Sequence, residues 1–381
     1  MDAGFIQAGF SCLQAFDINS NAVNVHNVNL GNSATIGDLR VIAKEQLLAQ
    51  GTPDVVVAGA PCQGFSTAGR RELHDPRNSL LLRAGQLAVQ LRPKVFVAEN
   101  VLGAVSGAHH AYWLALDGIL RGAGYASTTL RLNASNIGLA QRRSRVVLIA
   151  WTGSNAPSFS NHSADAPTLA QALSGVEHAP QHNKVMLIDG SKHYQIASRI
   201  GPGQKLCNVR AGANSVHTWE IPEVFGQTTP AEKLVLNSVL LLRRRHRRRD
   251  WGDADPVSIG ALTDTIGFPA SPHVKRLLAK RYMREIEGMV DLTNTFNGLY
   301  KRMTFDSISL TVDTKFGNSR YFLHPTEHRG FTVREAARLQ GFPDWFIFPA
   351  SPNESFRMIG NAVPPPMGKY IASGVRGLLQ N

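Results

Sequence analysis

Cysteine is scarce in this chain: Cys12, Cys62 and Cys207 are the only three in 381 residues, and no two form a Cys-x-x-Cys pair. That scarcity excludes a disulfide framework, speaks against a structural zinc site, and suits a reducing cytosol. No metal site is therefore expected. Long apolar runs are missing as well, and none approaches the roughly 18 residues that a membrane-spanning helix needs. The N-terminal residues 1–11 carry no basic stretch ahead of an apolar one, so no signal peptide is expected and the protein is assigned to the cytoplasm. Negative charge is the other shortage, with 28 acidic against 40 basic side chains and a formal net charge of +12. Such a balance suits a polyanionic partner, because Lys and Arg on phosphates release condensed counterions. Many basic proteins never touch nucleic acid, so charge alone does not assign one.

What is present reads as globular. Apolar residues make up 43% and aromatics 8% of the chain, and its length suffices for two domains and a large core. Residues 54–58 and 95–98 are short, β-branched runs, apolar on both faces as buried parallel strands are, and residues 145–150 form a third. Residues 80–91, between the first two, have helical spacing. This βαβ rhythm predicts an α/β, doubly wound, Rossmann-like domain over residues 1–152, with ligands at the carboxyl ends of its strands.

After Trp151 the rhythm stops. Residues 152–183 are rich in Ser, Ala, Asn, His and Pro, and the pattern beyond them is mixed, so residues 153–350 are assigned to a second, smaller domain. It contains six arginines among residues 243–249. That run fits a solvated helix end or loop, and fits equally a patch that contacts phosphates. Thr332-Val333-Arg334-Glu335 is a capping-box pattern opening a helix through Leu339, with Gly341 placed to end it. Gly360-Asn361-Ala362-Val363-Pro364-Pro365-Pro366 predicts a rigid turn, and residues 351–381 return to the first domain, ending in a helix over about 367–379. No internal repeat is present.

Three features could carry chemistry. Pro61-Cys62-Gln63 follows directly after the first buried strand, where a doubly wound enzyme puts its catalytic groups; Cys62 fits a nucleophile there, or a buried structural cysteine. Glu99 closes the next strand after four apolar residues. Desolvation there raises a carboxyl pKa and suits a general acid, although capping a helix or pairing with an arginine would suit the position too. Before the third strand, Gln141, Arg143 and Arg145 alternate and would share one face, able to hold an anion or a carbonyl oxygen.

Taken in order, Pro-Cys-Gln at 61–63, Glu-Asn-Val at 99–101, Gln-Arg-Arg-Ser-Arg at 141–145, Arg-Glu-Ala-Ala-Arg-Leu-Gln-Gly-Phe-Pro at 334–343 and Gly-Asn-Ala-Val-Pro-Pro at 360–365 resemble the bacterial DNA (cytosine-5) methyltransferases. The resemblance covers residues 1–150 and about 300–381; the region between is the family's variable target-recognition region. It implies S-adenosylmethionine as cofactor and a specific double-stranded DNA as substrate. It further implies a monomer bound to the nucleoid when on DNA, in a restriction–modification setting with a separately acting endonuclease. Cys62 as thiolate would add to C6 of a flipped-out cytosine, activating C5 toward the sulfonium methyl. Glu99 would protonate or hydrogen-bond N3, Arg145 would hold O2, and Arg143 and Gln141 would order the pocket. Elimination of the C5 proton would release Cys62. Gln63, Ser66, Arg70, Arg71 and Arg77 would contact DNA. Asp17 would grip the cofactor ribose beside Ile18, and Asp38 with Leu39 would read the adenine, with Pro61, Asn361 and Val363 completing the site. Read alone, each of these aspartates also fits a cap or turn residue.

Members of this family open with a strand and a Phe-x-Gly-x-Gly-Gly loop around the methionine end of the cofactor, and Met1 to Phe5 align just after it. The resemblance thus implies a chain lacking that strand, either through a displaced start or as a truncated, catalytically impaired DNA-binding homologue. An RNA cytosine methyltransferase shares the chemistry, but the long middle region disfavours it.

Overall fold

The computed structural model describes residues 1–61, 75–159, 165–209, 212–245, 247, 254–294 and 296–379. The chain forms two compact units. Unit 1 comprises residues 1–182, 305–314 and 333–381, and unit 2 comprises 183–304 and 315–332. Composition places the first boundary at 152; the chain stays in unit 1 to His182, and residues 305–314 and 333–350 belong there too. Composition marks where the βαβ rhythm stops, not where contacts change partners.

The N-terminal part of unit 1 runs α1 (Asp2–Gln7), β1 (Ala15–Asp17), α2 (Ser20–Leu30), β2 (Ala34–Ile36), α3 (Lys44–Leu47), β3 (Val55–Ala58), α4 (Ser79–Leu91), β4 (Val95–Asn100), α5 (His110–Gly122), β5 (Ala126–Asn133), β6 (Ser144–Trp151) and α6 (Leu169–Leu173). Local chemistry sets these limits. Asn19 caps α2 by accepting from the Asn21 and Ala22 amides, and Thr168 forms a capping box with Gln171 at α6. β1 and β2 pair in parallel, and a four-stranded sheet has the order β3-β4-β6-β5. β3 and β4 are parallel, as expected, whereas β6 is antiparallel to both β4 and β5. The third strand was expected to be parallel. Its direction follows from β5, a half-exposed strand of Ser, Thr and Arg with no buried apolar run to announce it. The chain turns back after β5 and inserts β6 beside β4.

Alternation along β4 and β6 builds a core on each face of this sheet. Phe96, Ala98, Val146 and Leu148 pack against Leu81 and Ala88 of α4 and Leu116 and Leu120 of α5. Val95, Val97, Val147 and Ile149 pack against Phe5 of α1 and the C-terminal helix. Helices thus cover both faces, the doubly wound arrangement expected.

Unit 2 contains α7 (Lys192–Ser198), β7 (Lys205–Cys207), β8 (Ser215–His217), α8 (Pro222–Phe225), α9 (Pro230–Arg245), α10 (Ile259–Ile266), α11 (Ser271–Ala279), the hairpin β9–β10 (Met283–Ile286, Met289–Leu292), β11 (Lys301–Arg302) and β12 (Phe322–Leu323). Val235, Leu236, Val239 and Leu242 of α9 pack against Leu262, Leu277 and Tyr282. The arginine run divides. Arg243 is buried, its Nε 2.7 Å from Asp291, so it belongs neither to a solvated end nor to a phosphate patch. Arg244 and Arg245 are exposed on the last turn of α9, where cations complement the helix dipole. His246, Arg248 and Arg249 lie outside the described residues.

The chain returns to unit 1 with α12 (Val333–Leu339), α13 (Pro352–Asn361) and α14 (Pro365–Arg376). Gly341, at φ +83°, follows α12 as expected. Gly360 and Asn361, expected in a turn, instead close α13, which Ser351 caps and Pro352 begins. A Cβ on Gly4 would lie 2.3 Å from the Pro365 carbonyl, so α1 and α14 meet backbone to backbone.

Candidate active site

The carboxyl end of β4 carries Glu99 and Asn100, both buried and paired in register with Val147 and Val146 of β6. The Arg145 Nε stands 2.7 Å from Glu99 Oε1. Burial pushes the Glu99 pKa up, and Arg145 and Arg143 only partly offset it. The acid therefore holds its proton to higher pH than an ordinary glutamate, beside a cation at the end of the two central strands. Both readings of Glu99 meet here: it is desolvated and it is paired. Asn100, which sequence reasoning passed over, donates from Nδ2 to the Ala60 carbonyl at 3.3 Å and accepts from the Val101 amide. It ties the end of β4 to the backbone just before Pro61. An asparagine after a strand-ending acid gives no pattern of its own.

Gln141 and Arg143 precede β6, and both are used on backbone rather than on an open face. Arg143 donates to the carbonyls of Val312 (2.9 Å), Gly360 (2.9 Å) and Ala362 (2.8 Å). Gln141 donates to the Leu339 carbonyl at 2.8 Å and to Gln340 Oε1 at 2.6 Å, and accepts from the Val312 amide. The expected common face for 141, 143 and 145 is thus corrected: Arg145 pairs with Glu99, whereas Gln141 and Arg143, which precede the strand beginning at Ser144, turn to backbone carbonyls. These two bind the loop at 309–314 and the segment at 360–362 to the strand. Gly360 makes this close approach possible, since a Cβ there would lie 2.4 Å from the Asp313 carbonyl carbon.

The residues expected to hold a cofactor sit elsewhere in unit 1. Asp17 ends β1, and its Oδ1 accepts from the Asn19 amide at 2.8 Å; Asp38 follows the neighbouring end of β2. Both strands are parallel, so the two carboxylates stand at adjacent carboxyl ends. Ile18 and Ile36 beside them are 64% and 65% exposed. Arg40 chelates Asp38 through Nε and Nη2, which holds the Asp38 carboxyl below its ordinary pKa. Leu39 is half-buried, Pro61 likewise, Asn361 is exposed at the end of α13, and Val363 is buried beside α14. Arg77, expected on DNA, folds back onto the buried Asp75, whose pKa it draws down to about 2. Cys62, Gln63, Ser66, Arg70 and Arg71 lie outside the described residues. Among the described residues no group of three His, Cys, Asp or Glu could hold a metal, and no helix is long and apolar enough to cross a membrane.

Residues 1–376 match the family model for C-5 cytosine-specific DNA methylase. The Type II methyltransferase M.XorII of Xanthomonas oryzae pv. oryzae is 29% identical over 392 residues, spanning 100% of this chain and 82% of that protein. The Type II methyltransferase M.HgiBI of Herpetosiphon aurantiacus is 29% identical over 417 residues, spanning 96% and 91%. In fold, a prophage-encoded E. coli protein superposes with a TM-score of 0.60 at 24% identity, covering 100% of this chain and 96% of that one. With a buried acid paired to an arginine at the end of its central strands, the chain belongs to the C-5 cytosine-specific DNA methylases and is a DNA cytosine-5 methyltransferase.

Proposed function

We propose that the protein methylates C5 of a flipped-out cytosine within a specific duplex DNA sequence, through a covalent adduct on Cys62, with S-adenosylmethionine as methyl donor. The observation that carries this reading is the Glu99–Arg145 pair, 2.7 Å apart at the carboxyl end of β4, with Glu99 buried and Arg145 half-buried. A cytosine presents an acceptor at N3 next to the O2 carbonyl, and a raised-pKa acid next to a fixed arginine complements both. The Cys62 thiolate adds to C6, Glu99 donates toward N3, and Arg145 holds O2, so charge does not build up in the ring. Loss of the C5 proton then expels Cys62 as thiolate. The base must leave the helix for C6 to be reached.

The described residues fit the cofactor. Asp17 and Asp38 offer carboxylates at adjacent strand ends for ribose hydroxyls and an adenine amino group, and exposed Ile18 and Ile36 offer apolar cover. Asn361, Val363, Leu39 and Pro61 would complete the site. Bound there, S-adenosylmethionine supplies an electrophilic methyl group. We further infer that unit 2 reads the target sequence through base edges. The protein acts as a cytoplasmic monomer in restriction–modification, beside a separate endonuclease; the Type II naming of both relatives supports this setting.

The test uses duplex DNA carrying 5-fluorocytosine at the methylated position, which blocks the final elimination. With cofactor, the wild-type protein should form a denaturation-resistant adduct, and Cys62→Ser should form none. An adduct that survives Cys62→Ser overturns the assignment of the nucleophile.

A further inference from the structure

We infer that Gln340, which no motif places at the reacting groups, is a positioning residue that holds the cytosine side and the cofactor side of the site in one register. The inference rests on the proposed reading of the site. Gln340 is fully buried, and its amide is engaged at both ends. Its Oε1 accepts from Gln141 Nε2 at 2.6 Å, and its Nε2 donates to the carbonyls of Ile359 at 2.9 Å and Ala362 at 2.7 Å. Arg143 donates to that same Ala362 carbonyl at 2.8 Å. One side chain therefore joins the residues leading into β6, which carries Arg145, to the end of α13 and the turn that carries Asn361 and Val363.

The chemistry of the site explains why an amide stands here. One end must accept a hydrogen bond and the other must donate two, which only Asn or Gln can do among side chains of this size. A glutamate would aim a carboxylate at two carbonyl oxygens, and a methionine would leave Ile359 without this donor in a dry interior. An asparagine keeps the chemistry and shortens the reach by one methylene. Gln340 itself sits behind both sets of residues, so its effect must pass through their positions.

The experiment compares wild type with Gln340→Asn and Gln340→Met in steady-state methylation of duplex DNA. Each preparation is first titrated for competent sites by its 5-fluorocytosine adduct, so that misfolded protein is not counted. Per competent site, both variants should raise the KM for S-adenosylmethionine and slow adduct formation, each by about 10- to 100-fold, because displacements near 1 Å cost that much. Duplex affinity measured by anisotropy should stay unchanged. Gln340→Asn should recover part of the loss that Gln340→Met shows. If either variant keeps wild-type KM and rate per competent site, with only fewer competent sites, Gln340 is merely structural and the inference is overturned. A wild-type protein that forms no adduct overturns the reading of the site itself, and the inference falls with it. Should Gln340→Met fail to fold, the Gln340→Asn arm alone decides.

Discussion

The two halves of the candidate site are built in opposite ways. Around Arg143, two buried glutamines bond each other, and all three side chains donate to carbonyls of three chain segments, in an interior with almost no exposed atoms. Around Asp17 and Asp38 the carboxylates face solvent at the ends of a two-stranded parallel sheet, flanked by exposed Ile18 and Ile36. A pocket that must hold a neutral base against charge development gains from rigid, desolvated donors. A site that must take up and release a charged cofactor each turnover gains from open, hydrated groups. The contrast predicts that damage to the first half costs stability as well as function, whereas damage to the second costs cofactor affinity alone.

The largest effect is expected at Arg143. Arg143→Ala removes the donors to the Val312 and Gly360 carbonyls, and should cost about 3–5 kcal/mol in urea unfolding at unchanged m. The neighbouring, exposed Arg142→Ala should stay within about 0.5 kcal/mol. An Arg143→Ala protein as stable as Arg142→Ala would show that the buried network is not what holds the loop at 309–314 to the strand.

Asp38→Ala should invert the pattern. The side chain pairs with Arg40 in solvent, so the urea midpoint should not move. The KM for S-adenosylmethionine should rise by about tenfold or more, the usual cost of a lost hydrogen bond to a charged group. A midpoint that falls while KM holds would place Asp38 in the scaffold rather than at the adenine.

This division also explains how far the sequence could be read. The strands at 95–100 and 144–151 declare themselves as buried apolar runs, and the one at 55–58, half-buried in the fold, by its three consecutive valines. Glu99 was legible as a desolvated acid for the same reason, four apolar residues leading into it. The direction of β6 was not legible, since it depends on β5, whose Thr and Arg residues are half-solvated and look like a loop. Nor were the partners of Gln141 and Arg143. Alternation predicts a shared face only where the backbone is already a strand, and here it becomes one at Ser144. Gln340 and Asn100 carry no periodicity or charge signal; an amide bonded to backbone carbonyls far along the chain is visible only in three dimensions. Arg243 misled for a related reason, since a run of six arginines reads as surface until Asp291 is found against it.

The smallest effect probes the open half. α1 and α2 are joined by His26 Nε2, 3.2 Å from Asp2 Oδ2, and this contact, helped by Cys12, lifts the His26 pKa from its ordinary 6.5 to about 9. A histidine whose pKa rises on folding stabilises the native state fully below pH 6.5, and loses that contribution as pH climbs through 9. Asp2, with its own pKa lowered, stays ionised across this window. Its side chain is 38% exposed, so solvent screening reduces what the shift alone would imply, and about 1 kcal/mol is expected. His26→Gln should therefore be less stable than wild type at pH 6 by that amount, with the two unfolding midpoints converging by pH 9.5. Arg143→Ala should show no such convergence, because a guanidinium keeps its charge throughout. If the His26→Gln deficit is the same at pH 6 and pH 9.5, the contact is packing rather than charge.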